Sequence, residues 1–282
     1  MQAVSPRPDG GYPNFTTAEG QNALEGLTTG AGNTALGAFS LFGTTTGSFN
    51  TAVGAGALDL NTGDNNTAVG VASLLLNTGT NNTAVGVDAL GLNTTGAFNA
   101  AVGAFALYNN TTGGQNTAIG EEALLNNTTG SNNTAAGVGA LQSNTTGSGN
   151  TANGTDALFN NNADANTATG NGALFSNTTG VDNTAVGAAA LHDNVTGSDN
   201  TAIGILALTT NTGGFDNTAI GSGALEFNNA GANNTATGVN ALASNSSGDD
   251  NTATGVVALV NIPQAITTQP SVTKRSFTIR SA

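Results

Sequence analysis

The sequence predicts an all-β protein, a parallel β-solenoid or β-roll of about fifteen coils with 16–17 residues each. Three observations lead to this prediction: a repeat at a nearly fixed spacing, short β-prone segments between turn-forming residues, and repeat positions that never vary. Repeats built from helix pairs need about 33 residues or more, so this unit is too short for them. We expect each strand to pair in parallel with its equivalent one unit later, which at about 4.8 Å per strand gives a length of roughly 70 Å.

The repeat is N-T-A-[VIT]-G-x-x-A-L-x-x-N-T-T-G-x-x, and we number its positions from the first Asn. Copies follow one another every 17 residues, with three spacings of 16. The missing residue always falls in the N-T-T-G segment, which is typical of a turn that tolerates deletion. Thr16 opens a variant first copy, and the other copies begin at Asn33, Asn50, Asn66, Asn82, Asn99, Asn116, Asn133, Asn150, Asn166, Asn183, Asn200, Asn217, Asn234 and Asn251.

Three positions are invariant across the fifteen copies: Ala at position 3, Gly at position 5 and Leu at position 9. In stacked coils each position becomes a column, and the Ala and Leu columns are the best candidates for the interior. Gly supplies either a positive φ or a close backbone approach. The Asn residues at positions 1 and 12 predict ladders of side-chain amides. Thr at position 2 predicts a hydroxyl row or packed methyl groups, and the segments T-A-V-G and A-L predict two short strands per coil.

The composition excludes several classes of function. The chain has no Cys, so thiol chemistry and disulfides are impossible. Its net charge is −13, and no Lys or Arg lies between residues 8 and 273, which argues against nucleic-acid binding. The sequence contains no run of 18 apolar residues, so it predicts no membrane span.

No catalytic, cofactor-binding or metal-binding residue is predicted. His192, the only histidine, occupies a position that other copies fill with Phe or Glu, so we interpret it as a variable surface residue. Glu121 and Glu122 form a pair of carboxylates, but no calcium-loop motif surrounds them, and solvated surface acids are the favoured interpretation. We expect a protein that is not an enzyme and has no cofactor.

The fourth position predicts a stripe for self-association. The apolar surface that one coil can bury is small beside the entropy cost of ordering its backbone, so a second buried surface is expected. The residues of this candidate stripe are Val53, Val69, Val85, Val102, Ile119, Val186, Ile203 and Ile220.

The segment N-T-A-V-G-x-x-A-L, seen at Asn50–Leu58 and Asn183–Leu191, resembles the head repeats of trimeric autotransporter adhesins (YadA-like heads). The longer form with N-T-T-G is similar to repeats of bacterial surface proteins and phage tail-fibre-like proteins. The resemblance covers about residues 16–260, although the unit here is longer. It implies a left-handed parallel β-roll, a homotrimer, an extracellular or cell-surface location, and contact with host or matrix surfaces.

The segments at the two ends differ from the repeats. Residues 1–15 are predicted to be an N-terminal cap or linker, residues 16–262 the solenoid, and residues 263–282 a C-terminal cap or tail. Ser276–Arg280 alternates in character and can form an edge-covering strand, with a flexible tail as the alternative. Residues 1–15 lack the pattern of a signal peptide, and the expected extracellular location is compatible with the removal of one.

The predicted function is that of a non-enzymatic extracellular fibre or adhesin-head-like segment that provides extension and surface contact. Two alternatives remain open, an ice-binding solenoid and a purely structural spacer. Ice binding favours regular T-x-T rows, and Thr occupies both positions 2 and 4 in only three copies: Thr167/Thr169, Thr235/Thr237 and Thr252/Thr254.

Overall fold

The computed structural model describes residues 13–260 and the backbone of residues 275–278. These residues form parallel β-structure without an α-helix, and the predicted fold class is confirmed. Each copy contributes one strand over positions 2 to 4. After a 3₁₀ turn at Pro13–Phe15, the strands are β1 Thr17–Glu19, β2 Thr34–Leu36, β3 Thr51–Val53, β4 Thr67–Val69, β5 Thr83–Val85, β6 Ala100–Val102, β7 Thr117–Ile119, β8 Thr134–Ala136, β9 Thr151–Asn153, β10 Thr167–Thr169, β11 Thr184–Val186, β12 Thr201–Ile203, β13 Thr218–Ile220, β14 Thr235–Thr237, β15 Asn251–Thr254 and β16 Arg275–Thr278.

The chain divides into two compact units, Met1–Thr146 and Gly147–Ala282. In the first unit, strands β1 to β8 pair in chain order, with equivalent residues opposite one another, as Thr51 is opposite Thr67. In the second unit, strands β9 to β16 follow the same order and parallel direction. The predicted pairing of each strand with its equivalent one copy later is therefore confirmed within each unit.

The core of each unit consists of the columns that the repeat predicted. Alternation along the strand turns position 3 inward, so Ala is buried in every strand from β1 to β15. The Leu of position 9 is fully buried in all copies from Leu41 to Leu225, and a small residue, Ala or Ser, fills position 8 beside it. Each layer contains the same small set of apolar atoms, which allows the layers to repeat without cavities.

The prediction of a second strand at A-L is wrong. Leu at position 9 has a φ near +50° in every copy, for example 51° at Leu41 and 53° at Leu107, so the backbone turns there instead of extending. Its N–H nevertheless donates to the next coil, as from Leu41 to the carbonyl of Ala57 at 3.0 Å. The coil therefore has one short strand, and turns whose backbone still bonds from layer to layer.

The C-terminal strand β16 pairs in parallel with β15, with Arg275 opposite Asn251. It lies largely within the segment Ser276–Arg280, for which we predicted an edge-covering strand as one of two alternatives. The remaining predictions for the end segments concern residues 1–12, 261–274 and 279–282, which lie outside the described residues.

Candidate functional site

The outward side of the strands is the first candidate surface, and we call the side chains at positions 2 and 4 of β1 to β15 the strand face. Thr at position 2 and the variable residue at position 4 both point away from the buried Ala, and both are half-buried or exposed. The exposed fraction at position 4 is 37% for Val85 and 50% for Ile119. Of the predicted stripe, only Val53 is less exposed than this group. These residues point outward, and their predicted role in self-association stays a prediction.

The strand face carries almost no charge. Glu19 in β1 is the only charged residue in strands β1 to β15, although the chain contains 17 acidic residues. The other acidic residues of the described coils lie in the turns. An acidic protein therefore presents a neutral strip of Thr, Val and Ile side chains in each unit.

The predicted amide ladders at positions 1 and 12 are confirmed. At position 12, Nδ2 of Asn77 donates to Oδ1 of Asn61 at 2.8 Å and to the carbonyl of Gly79 at 2.8 Å. At position 1, the backbone N–H of Asn66 donates to Oδ1 of Asn50 at 2.9 Å, and Nδ2 of Asn66 donates to the carbonyl of Gly79 at 3.0 Å. Each Asn thus links its own turn to the neighbouring coil.

The ladder at position 12 is also present in the three coils of 16 residues, which shows how they lose one residue. In a 17-residue coil Nδ2 of Asn93 bonds the carbonyl of Gly96, three residues later, at 2.9 Å. In the shorter coils the same bond reaches only two residues ahead, from Asn61 to Gly63 at 2.8 Å and from Asn161 to Ala163 at 2.9 Å. The turn that we predicted to tolerate deletion absorbs it without losing the ladder.

Position 5 requires glycine for two reasons at once. Gly103 has a φ of 140°, a conformation that residues with a Cβ rarely adopt. A Cβ at Gly103 would also collide with the carbonyl of Gly120 in the next coil. The two roles that the sequence offered as alternatives, positive φ and close approach, therefore occur together.

His192 belongs to a surface stack of rings. Its ring lies parallel to that of Phe175, with centroids 5.2 Å apart, and Phe175 stacks on Phe159 at 5.1 Å. Nδ1 of His192 lies 2.7 Å from Oδ1 of Asp193. Residues at position 10 of three successive coils create this stack.

The carboxylates of Glu121 and Glu122 occupy adjacent turn positions. Glu121 is exposed, whereas Glu122 has a φ of 58° and accepts a hydrogen bond from Nε2 of Gln142 in the next copy. Within residues 13–260, no group of three or more His, Asp or Glu side chains is placed to hold a metal ion. A search of the described residues also finds no helix long and apolar enough to span a membrane.

One exposed column was not singled out by the sequence analysis. From residue 32 to residue 250, the last residue of a copy, immediately before the Asn of position 1, has a φ near +60° and is exposed except at Gly32, as at Asn65, Asn81 and Asp199. Among the fourteen copies from residue 32 to residue 250, ten have Asn, Asp or Gly here, the residue types that tolerate this conformation best. The frequency of Asn, Asp and Gly at this position was the sequence signal that could have indicated an exposed turn.

Comparison of the chain with models of known protein families, with curated proteins and with solved structures gives no match.

Proposed function

We propose that the chain is a non-enzymatic, extracellular or cell-surface fibre segment, similar to an adhesin head, that provides extension and surface contact. The observation that carries the proposal is the strand face, a strip rich in Thr, Val and Ile whose single charged residue is Glu19, on an otherwise acidic molecule. Surface strips of this kind, rimmed by polar residues, mark interaction sites in soluble proteins.

The strand face also supports self-association, for which the resemblance to autotransporter heads favours a left-handed homotrimer. In the first unit, Val69, Val85, Val102 and Ile119 are exposed on consecutive strands β4 to β7. Burying the remaining two fifths of each would contribute about 0.6–1.2 kcal/mol per side chain. Association costs at least about 4 kcal/mol, so several coils must engage together. A long regular face meets that condition.

Deletion of whole copies separates an adhesin from a spacer. Residues 99–115 and 200–216 are complete 17-residue copies, and removing either leaves an in-register solenoid. We expect adhesion of chain-coated beads to a matrix-protein surface to fall when one particular copy is removed and to persist when the other is. If both deletions only shorten the reach of the chain and leave adhesion unchanged, the chain is a spacer and the adhesive role is wrong.

Ice binding is a second candidate, and one observation favours it. The column of position 2, Thr in β1 to β15 except at Ala100, points outward on the strand face at the regular spacing of paired strands. Three strands, β10, β14 and β15, add a second outward Thr at position 4. Thermal hysteresis and ice-crystal shaping test this candidate, and a folded sample that shows neither effect rules it out.

A further inference from the structure

The exposed column at the last position of the repeat changes its chemistry between the two units. In the first unit it contains aromatic rings and primary amides, and we call Phe49, Asn65, Asn81, Phe98, Gln115 and Asn132 the aromatic–amide row. In the second unit the same column carries carboxylates at Asp182, Asp199 and Asp216 on consecutive copies. Both rows have the same φ, so the conformation of the turn does not account for the difference between a neutral row and an acidic row.

The two rings of the row present open surface. Phe49 is 65% exposed and Phe98 is 62% exposed, and within the described residues neither ring stacks on another aromatic side chain. The ring of Phe49 leans over Gly32, the equivalent residue of the preceding copy, where a Cβ would lie 2.8 Å from a ring carbon. Gly32 thus lets the ring rest against the coil. At this exposure, both Phe49 and Phe98 leave ring surface open for stacking by a ligand.

The amides between and beside the rings have free hydrogen-bonding groups. Within residues 13–260, the side chains of Asn65 and Gln115 make no hydrogen bond, and Nδ2 of Asn81 donates only to Oγ1 of Thr80 at 3.1 Å. Each primary amide has two donor hydrogens and an acceptor oxygen. The row therefore combines stacking surface with donors and acceptors and contains no charged residue.

The spacing of the row is fixed by the solenoid. The backbone N–H of Phe49 donates to the carbonyl of Ala31 at 2.8 Å, and that of Phe98 donates to Thr80 at 3.1 Å, so each corner is tied to the preceding coil. Three coils separate the two rings, which at the spacing of paired strands is about 14 Å. One coil rises by nearly the length that one pyranose adds to an extended β-1,4-linked chain. The two rings thus stand about three sugar units apart, with an amide at each intermediate level.

We propose that the aromatic–amide row binds a neutral, extended β-linked polysaccharide, with sugar rings stacked on Phe49 and Phe98 and hydroxyl groups bonded to the intervening amides. The proposal rests on the surface-contact function proposed above and names the chemistry of one surface that the first unit would contact. A neutral glycan needs no cation from the protein, which suits a unit without Lys or Arg from residue 8 onward. The carboxylate row of the second unit provides no stacking surface.

The test uses the full chain, with microcrystalline cellulose and chitin as probes and soluble hydroxyethylcellulose in affinity electrophoresis. We expect binding by the wild type, a loss of at least about tenfold in Phe49→Ala/Phe98→Ala, and retained binding in Phe49→Tyr/Phe98→Tyr. Phe215→Ala removes an exposed ring of the second unit, outside the row, and is the matched control. It should bind within about twofold of the wild type.

The proposal is overturned if the wild type binds none of these glycans, or if Phe49→Ala/Phe98→Ala and Phe215→Ala bind equally well. Circular dichroism and urea unfolding of each variant establish that the solenoid is intact. Adhesion to a protein-coated surface distinguishes the two proposals. If deletion of a copy abolishes this adhesion but Phe49→Ala/Phe98→Ala does not affect it, the fibre function is supported and only glycan binding is rejected.

Discussion

Removing one amide from the interior ladder should destabilise the protein far more than a comparable change at the surface. Asn110 is fully buried, and its Nδ2 donates to Oδ1 of Asn93 at 2.7 Å and to the carbonyl of Gly113 at 2.9 Å. Its Oδ1 accepts from Nδ2 of Asn127 at 2.8 Å. Asn110→Ala breaks three bonds and leaves two buried groups without partners, Oδ1 of Asn93 and one N–H of Asn127. The carbonyl of Gly113 keeps its bond from Asn99.

The magnitude follows from the two orphaned groups. An unsatisfied buried polar group costs about 1–3 kcal/mol, so we expect Asn110→Ala to lower the free energy of unfolding by about 2–6 kcal/mol. Asn110→Asp keeps the shape but directs a carboxylate at two acceptor oxygens. Burial raises the pKa of this introduced carboxyl, so its destabilisation should be smallest at acid pH and grow as the pH rises through the folded-state pKa.

Urea unfolding followed by circular dichroism at neutral and acid pH measures these differences, and amide hydrogen exchange locates the loosened coils. Asn81→Asp is the matched control, because Asn81 is exposed and lies outside both ladders. It should change the free energy of unfolding by less than about 0.5 kcal/mol. If Asn110→Ala is as stable as Asn81→Asp, or if Asn110→Asp shows no pH dependence, the ladder does not stabilise the solenoid as we argue.

Three further changes test the end of the ladder and two other positions of the repeat. Thr44 precedes Asn61 in the position-12 ladder, and its buried Oγ1 has no hydrogen-bond partner. Thr44→Asn should therefore raise the free energy of unfolding by about 1 kcal/mol, measured by urea unfolding. An unchanged urea midpoint would contradict this. Burial raises the pKa of Asp59, whose buried Oδ1 has no hydrogen-bond partner. Asp59→Leu should therefore raise the melting temperature at neutral pH, and this gain should shrink at acid pH, where the wild-type carboxyl is protonated. An equal gain at every pH would contradict the prediction. Gly103→Ala should cost at least about 3 kcal/mol in unfolding free energy from its φ and the clash. Gly56→Ala also has a positive φ, but its Cβ would meet only Cδ1 of Leu75, at an ordinary contact distance of 3.9 Å, so it should cost about 1 kcal/mol. Equal costs in thermal melts would refute the packing argument.

The repeat alone predicts the architecture because every copy must solve the same packing problem. Invariant Ala and Leu, periodic Asn and the confinement of deletions to one turn predicted the core, the ladders and the loop that absorbs length changes. The conformation of Leu was not predictable from local preference, since a left-handed φ at a Leu such as Leu107 is intrinsically unfavourable. There, burial of the side chain and the bond to the next coil override the preference of the residue.

The candidate surfaces were only partly predictable, for a similar reason. The outward direction of the strand face follows from the alternation of a strand around the buried Ala. The aromatic–amide row depends on a left-handed corner whose exposure is a property of the whole coil. Its residues vary from copy to copy, so invariant repeat positions give no indication of Phe49 and Phe98.

The mass of the chain in solution tests most directly the central claim that the strand face mediates self-association. Sedimentation equilibrium should give three times the chain mass of 27.3 kDa for the wild type. Val85→Lys/Val102→Lys, which places charge on the strand face, should sediment as a single chain. Val138→Lys, at an exposed apolar residue outside the strand face, should keep the mass of the wild type. A folded wild type that remains a single chain at all concentrations would contradict the claim.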